Sequence, residues 1–197
     1  MLDYSVYKNT DKRRKELENF DNLDFLIEKA KEGDGNAFGK LYDLFFDRIY
    51  KFIFFRISHK EVAEDITEEV FIKAYQALAK LKEDQAFESW LYQISRNKLI
   101  DYYRSKKSLV DISQVENELV YDFNLSESID KRLEEQKFLE ALELLPEDQK
   151  TVIQLKFIED LENPEIAIIL NKTEGSIRVI QHRAITKLKD ILNSSRK

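Results

Sequence analysis

The sequence contains no cysteine, only two prolines, four glycines and two histidines in 197 residues. Without cysteine there is no disulfide framework, no thiolate metal site and no cysteine nucleophile, and the composition suits a reducing cytoplasm. His59 and His182 lie far apart in sequence and supply little for a zinc site, so no metal is expected. So few Gly and Pro leave little punctuation for a turn-rich β fold. No apolar run approaches the ~18 residues of a membrane span, so the chain has no expected means of membrane insertion of its own. The leader, residues 1–21, is polar, carries Lys12, Arg13, Arg14 and Lys15 in a row, and lacks the apolar segment of a signal peptide. It is expected to be solvated and frayed.

What is present points to helices. Hydrophobic residues make up 43% of the chain, with 13 Phe and 9 Tyr, enough for a real core and incompatible with full disorder. The remainder is rich in Glu, Lys, Leu and Ile, which favour helix. A formal net charge of −6 argues at first against a nucleic-acid partner. Charge acts locally, however, and its distribution along the chain matters more than the total.

Helical spacing of apolar residues recurs along the chain. Leu23, Leu26, Ile27 and Ala30 predict a first helix that Gly33 stops. A second opens near Asp34 to Asn36 and carries Phe38, Leu41, Tyr42, Phe45, Ile49, Phe52 and Ile53 on one face. Phe46, Tyr50, Phe54 and Phe55 widen that stripe, as expected of a helix buried on more than one side. A third runs from about Lys60 to Lys80, with Ala63, Ile66, Val70, Phe71, Ala74 and Leu78 inward. A fourth runs from Phe87 to about Ser105, with Phe87, Trp90, Leu91 and Ile94 inward. Four amphipathic helices on short loops make one bundle domain, residues 22–107.

From residue 108 to 135 the pattern weakens into an acidic linker. Between residues 109 and 148 twelve acids face three bases. A second helical domain, residues 136–197, follows. Pro146 ends one helix and starts the next, about Glu147 to Ile158. Asn163 is placed as an N-cap with Pro164 at the first helical position of a short helix ending at Leu170. Asn171 suits a left-handed turn residue, and Thr173 caps a last helix from Glu174 to about Leu192. A short helix, a tight turn and a longer helix give the spacing of a helix-turn-helix. The expected fold is therefore all-α, two small helical domains joined by an acidic linker.

Three surfaces carry chemistry. On the last helix Ile177, Ile180, Ala184 and Leu188 form an inward stripe, leaving Ser176, Arg178, Val179, His182 and Arg183 on the other face. Residues 171–197 hold seven bases and two acids. Such a helix can enter the major groove of duplex DNA, where Arg reaches guanine edges or phosphates; alternatively it is a solvated basic tail. Residues 96–107 hold five bases and one acid, beside Tyr92, Tyr102 and Tyr103. Positive charge with aromatic rings suits single-stranded nucleic acid, and a helix C-terminus with favourable dipole charges explains it equally. On the third helix Glu61, Glu64, Asp65 and Glu68 share a face, with Glu69 beside them. This is either a solvated face or a site for a basic protein partner, a metal being the remote option. Gly33, Gly35, Gly39 and Lys40 only mimic a phosphate loop. The spacing needs glycine where Asp34 stands and Ser or Thr where Leu41 stands. No catalytic constellation and no cofactor motif is found, so the chain is not expected to be an enzyme.

Together these segments resemble a bacterial sigma factor of the extracytoplasmic-function group, the smallest type in the sigma-70 family, over residues 22 to 192. The stretch Ala63-Glu64-Asp65-Ile66-Thr67-Glu68-Glu69-Val70-Phe71-Ile72-Lys73-Ala74-Tyr75 resembles the polymerase-clamp-binding helix of sigma domain two. Residues 87–104, which include Ser89-Trp90-Leu91-Tyr92 and Arg96-Asn97-Lys98, resemble the melting and minus-ten-reading segment. Leu145-Pro146-Glu147 followed by Lys172 to Ala184 resembles domain four. All three in this order are far more specific than any one.

The resemblance implies that Glu64, Asp65, Glu68 and Glu69 meet core RNA polymerase. It also implies that Arg96, Asn97, Lys98 and Arg104 hold the unpaired strand at the minus-ten element, the loop Lys82 to Ala86 helping to capture a flipped base. Ser176, Arg178, Val179, His182 and Arg183 would read the minus-35 element of promoter DNA, and the acidic linker would thread the basic cleft of the polymerase. An anti-sigma factor is a further implied partner. Asn171 stands where the family often has Gly, and the leader matches nothing in the family pattern. The alternative is a helix-turn-helix regulator with a ligand-sensing helical domain, which would need an apolar pocket in its first half.

Overall fold

The computed structural model describes residues 23–82, 86–109 and 137–194. The leader, loop residues 83–85 and most of the acidic linker lie outside the described residues. The described residues are helical with no strand among them, and they fall into two compact units, 23–109 and 137–194.

The first unit holds four helices: α1 (Leu23–Lys31), α2 (Gly35–Ile57), α3 (Lys60–Ala77) and α4 (Phe87–Leu109). A single 3-10 turn, Leu78–Lys80, finishes α3 where the sequence predicts continuous helix. Between α1 and α2 the chain turns on Gly33, whose φ of 96° favours a residue without Cβ. Asp34 then caps α2, its carboxylate accepting from Asn36 N–H at 2.8 Å and Ala37 N–H at 3.2 Å. Such a cap is worth about 1 kcal/mol. The glycines of the false phosphate loop are thus a helix junction.

The core of this unit is filled by Leu41, Ile49, Phe52 and Ile53 from α2, Ala63 and Val70 from α3, and Leu91 and Tyr92 from α4, all fully buried. Phe45 meets Phe87 edge-on at 5.3 Å, and beside them Arg48 pairs with Glu88, joining α2 to α4. Phe55 is buried as expected, but Phe46, Tyr50 and Phe54 are only half-buried. With Tyr42 they form a ladder along α2, centroids 5.0, 6.2 and 5.6 Å apart, which Phe71 of α3 joins at 4.7 Å from Tyr42. The helix is thus packed against α1, α3 and α4, and of its extra aromatics Phe46, Tyr50 and Phe54 form a half-buried seam beside α3.

Ser58 ends α2 in the left-handed region, φ 53°, its N–H donating to Phe54 O. A serine there carries a steric cost that glycine avoids. Ser58→Gly is expected to stabilise the first unit by about 0.5–1 kcal/mol, after subtracting the extra freedom of glycine in the unfolded chain. Urea unfolding followed by circular dichroism checks this, and a lower midpoint would mean that the Ser58 side chain holds the junction.

The second unit begins with helical residues 137–143 (α5), followed by α6 (Glu147–Ile153), a π-helical turn (Gln154–Ile158), α7 (Asn163–Leu170) and α8 (Glu174–Ser194). Lys150 is buried and donates to Glu143 at 2.6 Å, tying α6 to α5. The π turn closes with Glu159 N–H on Gln154 O at 3.1 Å, and it brings both Gln154 and Leu155 into the core. Sequence spacing predicts one continuous helix here, because a single inserted residue leaves no periodic trace. The N-cap of α7 is Glu162, one residue earlier than predicted. Its N–H donates to the Glu165 carboxylate at 2.6 Å, and Pro164 falls at the second helical position.

Candidate functional site

On α3, burial of Ala63, Ile66, Thr67, Val70, Phe71 and Ala74 turns Glu61, Asp65, Glu68 and Glu69 to solvent. Glu64 is half-buried, 3.9 Å from Lys60 at the edge facing α2. Helical geometry alone produces this row, and His59 starts it: its Nδ1 accepts from Val62 N–H at 3.5 Å as a weak cap. The row borders the aromatic seam. Burial pushes the phenols of Tyr42 and Tyr50 above their ordinary 10.0, and nearby carboxylates add to it, Glu68 and Asp43 at Tyr42 and Glu64 at Tyr50. Farther along α3, Ile72 and Tyr75 are more than half exposed, at 58% and 52%. An acidic row with an apolar edge suits a basic amphipathic partner. Among the described residues no cluster of His, Asp and Glu is arranged to hold a metal ion.

On α4, Leu91, Tyr92, Ser95 and Leu99 face the core, which leaves Asn97 and Arg104 exposed and Arg96 and Lys98 half-buried. Tyr92 corrects the sequence analysis: it is no stacking platform but a core residue, its ring 5.2 Å from that of Phe52 and nearly perpendicular to it. Trp90 and Ile94, expected in the core, are half-buried at its rim. Of the three tyrosines near the basic cluster, Tyr102 and Tyr103 remain accessible. Tyr103 donates its hydroxyl to the carbonyl of Arg56 in the last turn of α2, and the ammonium of Lys106 sits 5.9 Å from the Tyr102 ring centroid. Arg104 makes a long, exposed contact with Asp101, 3.9 Å.

In the second unit the turn between α7 and α8 forms as its residues predict. Asn171 is left-handed at φ 51°, and its N–H donates to Ile168 O. Thr173 Oγ1 accepts from Ser176 N–H at 3.2 Å and caps α8. Lys172 reaches Asp148 at 3.1 Å, pinning the turn to the start of α6. Ile177, Ala184 and Leu188 are buried, whereas Ile180 is half-buried. Ser176, Arg178, Val179, His182 and Arg183 are all exposed, on one continuous outer face, and Val179 at 50% puts an apolar atom group among the donors. That mixture of Arg donors, a hydroxyl and an apolar side chain matches what base edges in a major groove offer.

Two family models match the chain: Sigma-70 region 2 over residues 41–109 and Sigma-70, region 4 over residues 135–188. The ECF RNA polymerase sigma factor SigW of Bacillus subtilis is 33% identical over 80% of this chain and 89% of its own length. The chain belongs to the extracytoplasmic-function sigma factors of the sigma-70 family. The ECF RNA polymerase sigma-E factor of Escherichia coli K12 is 31% identical to this sigma factor, over 78% of the chain and 85% of the relative. BldN of Streptomyces coelicolor is also 31% identical, and the match spans 64% of that longer protein. In fold, this sigma factor is similar to the solved CnrH, in complex with the cytosolic domain of CnrY. The TM-score is 0.67 at 24% identity, over 86% of this chain and 96% of the other.

Two contacts at these surfaces went unanticipated in the sequence. Lys98 of α4 donates to Glu69 of α3 at 2.6 Å, joining two of the candidate surfaces across the bundle. Arg178 pairs with Glu174 one helical turn earlier. The second was legible as an (i, i+4) spacing; the first depends on tertiary packing and left no local signal.

Proposed function

We propose that this sigma factor binds core RNA polymerase through Glu64, Asp65, Glu68 and Glu69. It then directs promoter recognition by holding the unpaired minus-ten strand on Arg96, Asn97, Lys98 and Arg104. Duplex minus-35 DNA is read by Ser176, Arg178, Val179, His182 and Arg183. The observation that carries this is the outer face of α8, where all five side chains are exposed on a capped helix behind a left-handed turn. Residues 22–107 act as domain two and residues 136–197 as domain four, with the acidic segment 108–135 as the linker that enters the polymerase. The protein catalyses nothing itself. Binding energy from two DNA contacts favours the strand-separated state over the closed duplex. It works in the cytoplasm; no helix among the described residues is long and apolar enough to cross a membrane. A fold relative, RpoE of Bartonella quintana, was solved in complex with the anti-sigma factor NepR, at 21% identity and a TM-score of 0.63. We extend that kind of partner to this chain.

Incubation with core RNA polymerase followed by sizing chromatography tests the first step, and run-off transcription over a genomic fragment library tests the second. Co-elution and a discrete set of start sites are expected. A chain that elutes alone, or a holoenzyme that starts nowhere above core background, would refute the proposal.

A further inference from the structure

The ammonium of Lys98, one of the candidate minus-ten residues, lies 2.6 Å from a carboxylate of α3, and that carboxylate, Glu69, is one of the candidate polymerase contacts. The Lys98 side chain is 32% exposed and that of Glu69 57%, so the pair bridges the bundle surface and solvent reaches both ends. We propose that the Glu69–Lys98 ion pair is a latch that withholds Lys98 from DNA in the free protein and yields it when core polymerase engages α3.

The inference rests on the assignment of α3 to polymerase and of α4 to the minus-ten strand, and it adds a coupling between them. Glu69 lies on the exposed side of α3 with Asp65 and Glu68, so a basic partner docking on that row brings a second cation to the same carboxylate. A carboxylate shared between two cations holds each less firmly, and Lys98 becomes free to turn towards a phosphate. The coupling is reciprocal: a strand that draws Lys98 away exposes Glu69 fully to the polymerase. With Lys98 latched, the basic face of α4 offers less to stray single-stranded nucleic acid. Glu69 thereby becomes a positioning residue for DNA capture besides a polymerase contact.

A double-mutant cycle on the full-length chain tests this. Anisotropy of a fluorescent single-stranded oligonucleotide at low salt is measured for wild type, Glu69→Gln, Lys98→Gln and the double variant. Glu61→Gln removes the same charge from the exposed start of α3 and controls for net charge. Glu69→Gln is expected to tighten binding roughly two- to fivefold beyond Glu61→Gln, the scale of a half-exposed ion pair. That excess should vanish in the Lys98→Gln background. Equal effects of Glu69→Gln and Glu61→Gln, no gain at any salt concentration, or an excess that persists without Lys98 would each overturn the latch. Holoenzyme binding to a pre-melted promoter template separates the two levels. If Lys98→Gln leaves it unchanged, the assignment of Lys98 to the strand fails. If Lys98→Gln weakens it while the cycle shows no coupling, the assignment stands and the latch alone is lost.

Discussion

A chain carrying Asp65→Lys and Glu68→Lys is expected to lose its complex with core RNA polymerase while keeping its fold. Both side chains are exposed near the middle of α3, with the buried stripe Ile66, Thr67 and Val70 turned the other way. Lysine is as good a helix former as glutamate and better than aspartate, and mid-helix positions feel little of the helix dipole, so the expected stability change is within about 0.5 kcal/mol. At an interface with a basic surface, each reversal converts an attraction into a like-charge contact. Charge pairs at desolvated interfaces are worth about 2–5 kcal/mol when broken, so affinity should fall about thirtyfold or more. Fluorescence titration with core polymerase reads the affinity, and far-ultraviolet circular dichroism with a thermal melt reads the fold. Unchanged affinity would reject α3 as the polymerase surface; a lowered melting temperature would show instead that the acids serve the bundle. Glu64 and Glu69 are poorer choices for this test. The first is half-buried against the aromatic seam, and the second already holds Lys98.

The parts of the fold that were legible in the sequence are those set by local physics. Asp34, Gly33, Asn171 and Thr173 act where their side-chain and backbone preferences place them, because caps and left-handed turns depend on a few neighbouring residues. Inward stripes such as Ala63, Ile66 and Val70 follow from a period of 3.6. Where two local solutions compete, the prediction slips: Asn163 and Glu162 can both begin α7, and the Glu165 carboxylate on the Glu162 N–H marks the earlier start. Tyr92 shows the larger limit. In sequence it sits beside bases and resembles a stacking ring, but Phe52 on α2 claims it for the core. Only tertiary packing distinguishes the two fates. The same holds for Arg48–Glu88 and Glu69–Lys98, whose members are forty and twenty-nine residues apart. The candidate surfaces themselves were legible as charge and face. Their division among polymerase, melted strand and duplex came from the family resemblance, since an acidic row or a basic helix has no unique partner by its own chemistry.

Arg178→Ala is expected to cost about 1–3 kcal/mol in use of a cognate promoter, roughly a five- to 150-fold loss, if the guanidinium makes a bidentate contact to a guanine edge. Arg178 lies in the second turn of α8, on the face with Ser176, Val179 and His182, where a helix entering the groove by its N-terminal end presents its side chains to bases. Its pairing with Glu174 does not compete with that estimate. An exposed (i, i+4) pair contributes about 0.3–0.5 kcal/mol, well below the expected loss, and alanine preserves the helix. The Glu174 carboxylate restrains the guanidinium, so Glu174→Ala should weaken promoter use less than Arg178→Ala and only through it. Promoter binding by the holoenzyme, measured on the cognate minus-35 element and on single-base variants, separates base from backbone contact. A base contact gives a loss on the cognate sequence and a flattened preference at one position. A phosphate contact gives equal loss on every sequence and a salt dependence reduced by about one unit of slope. That second outcome would leave α8 as the DNA-facing helix and shift the reading of bases to Ser176, Val179, His182 and Arg183.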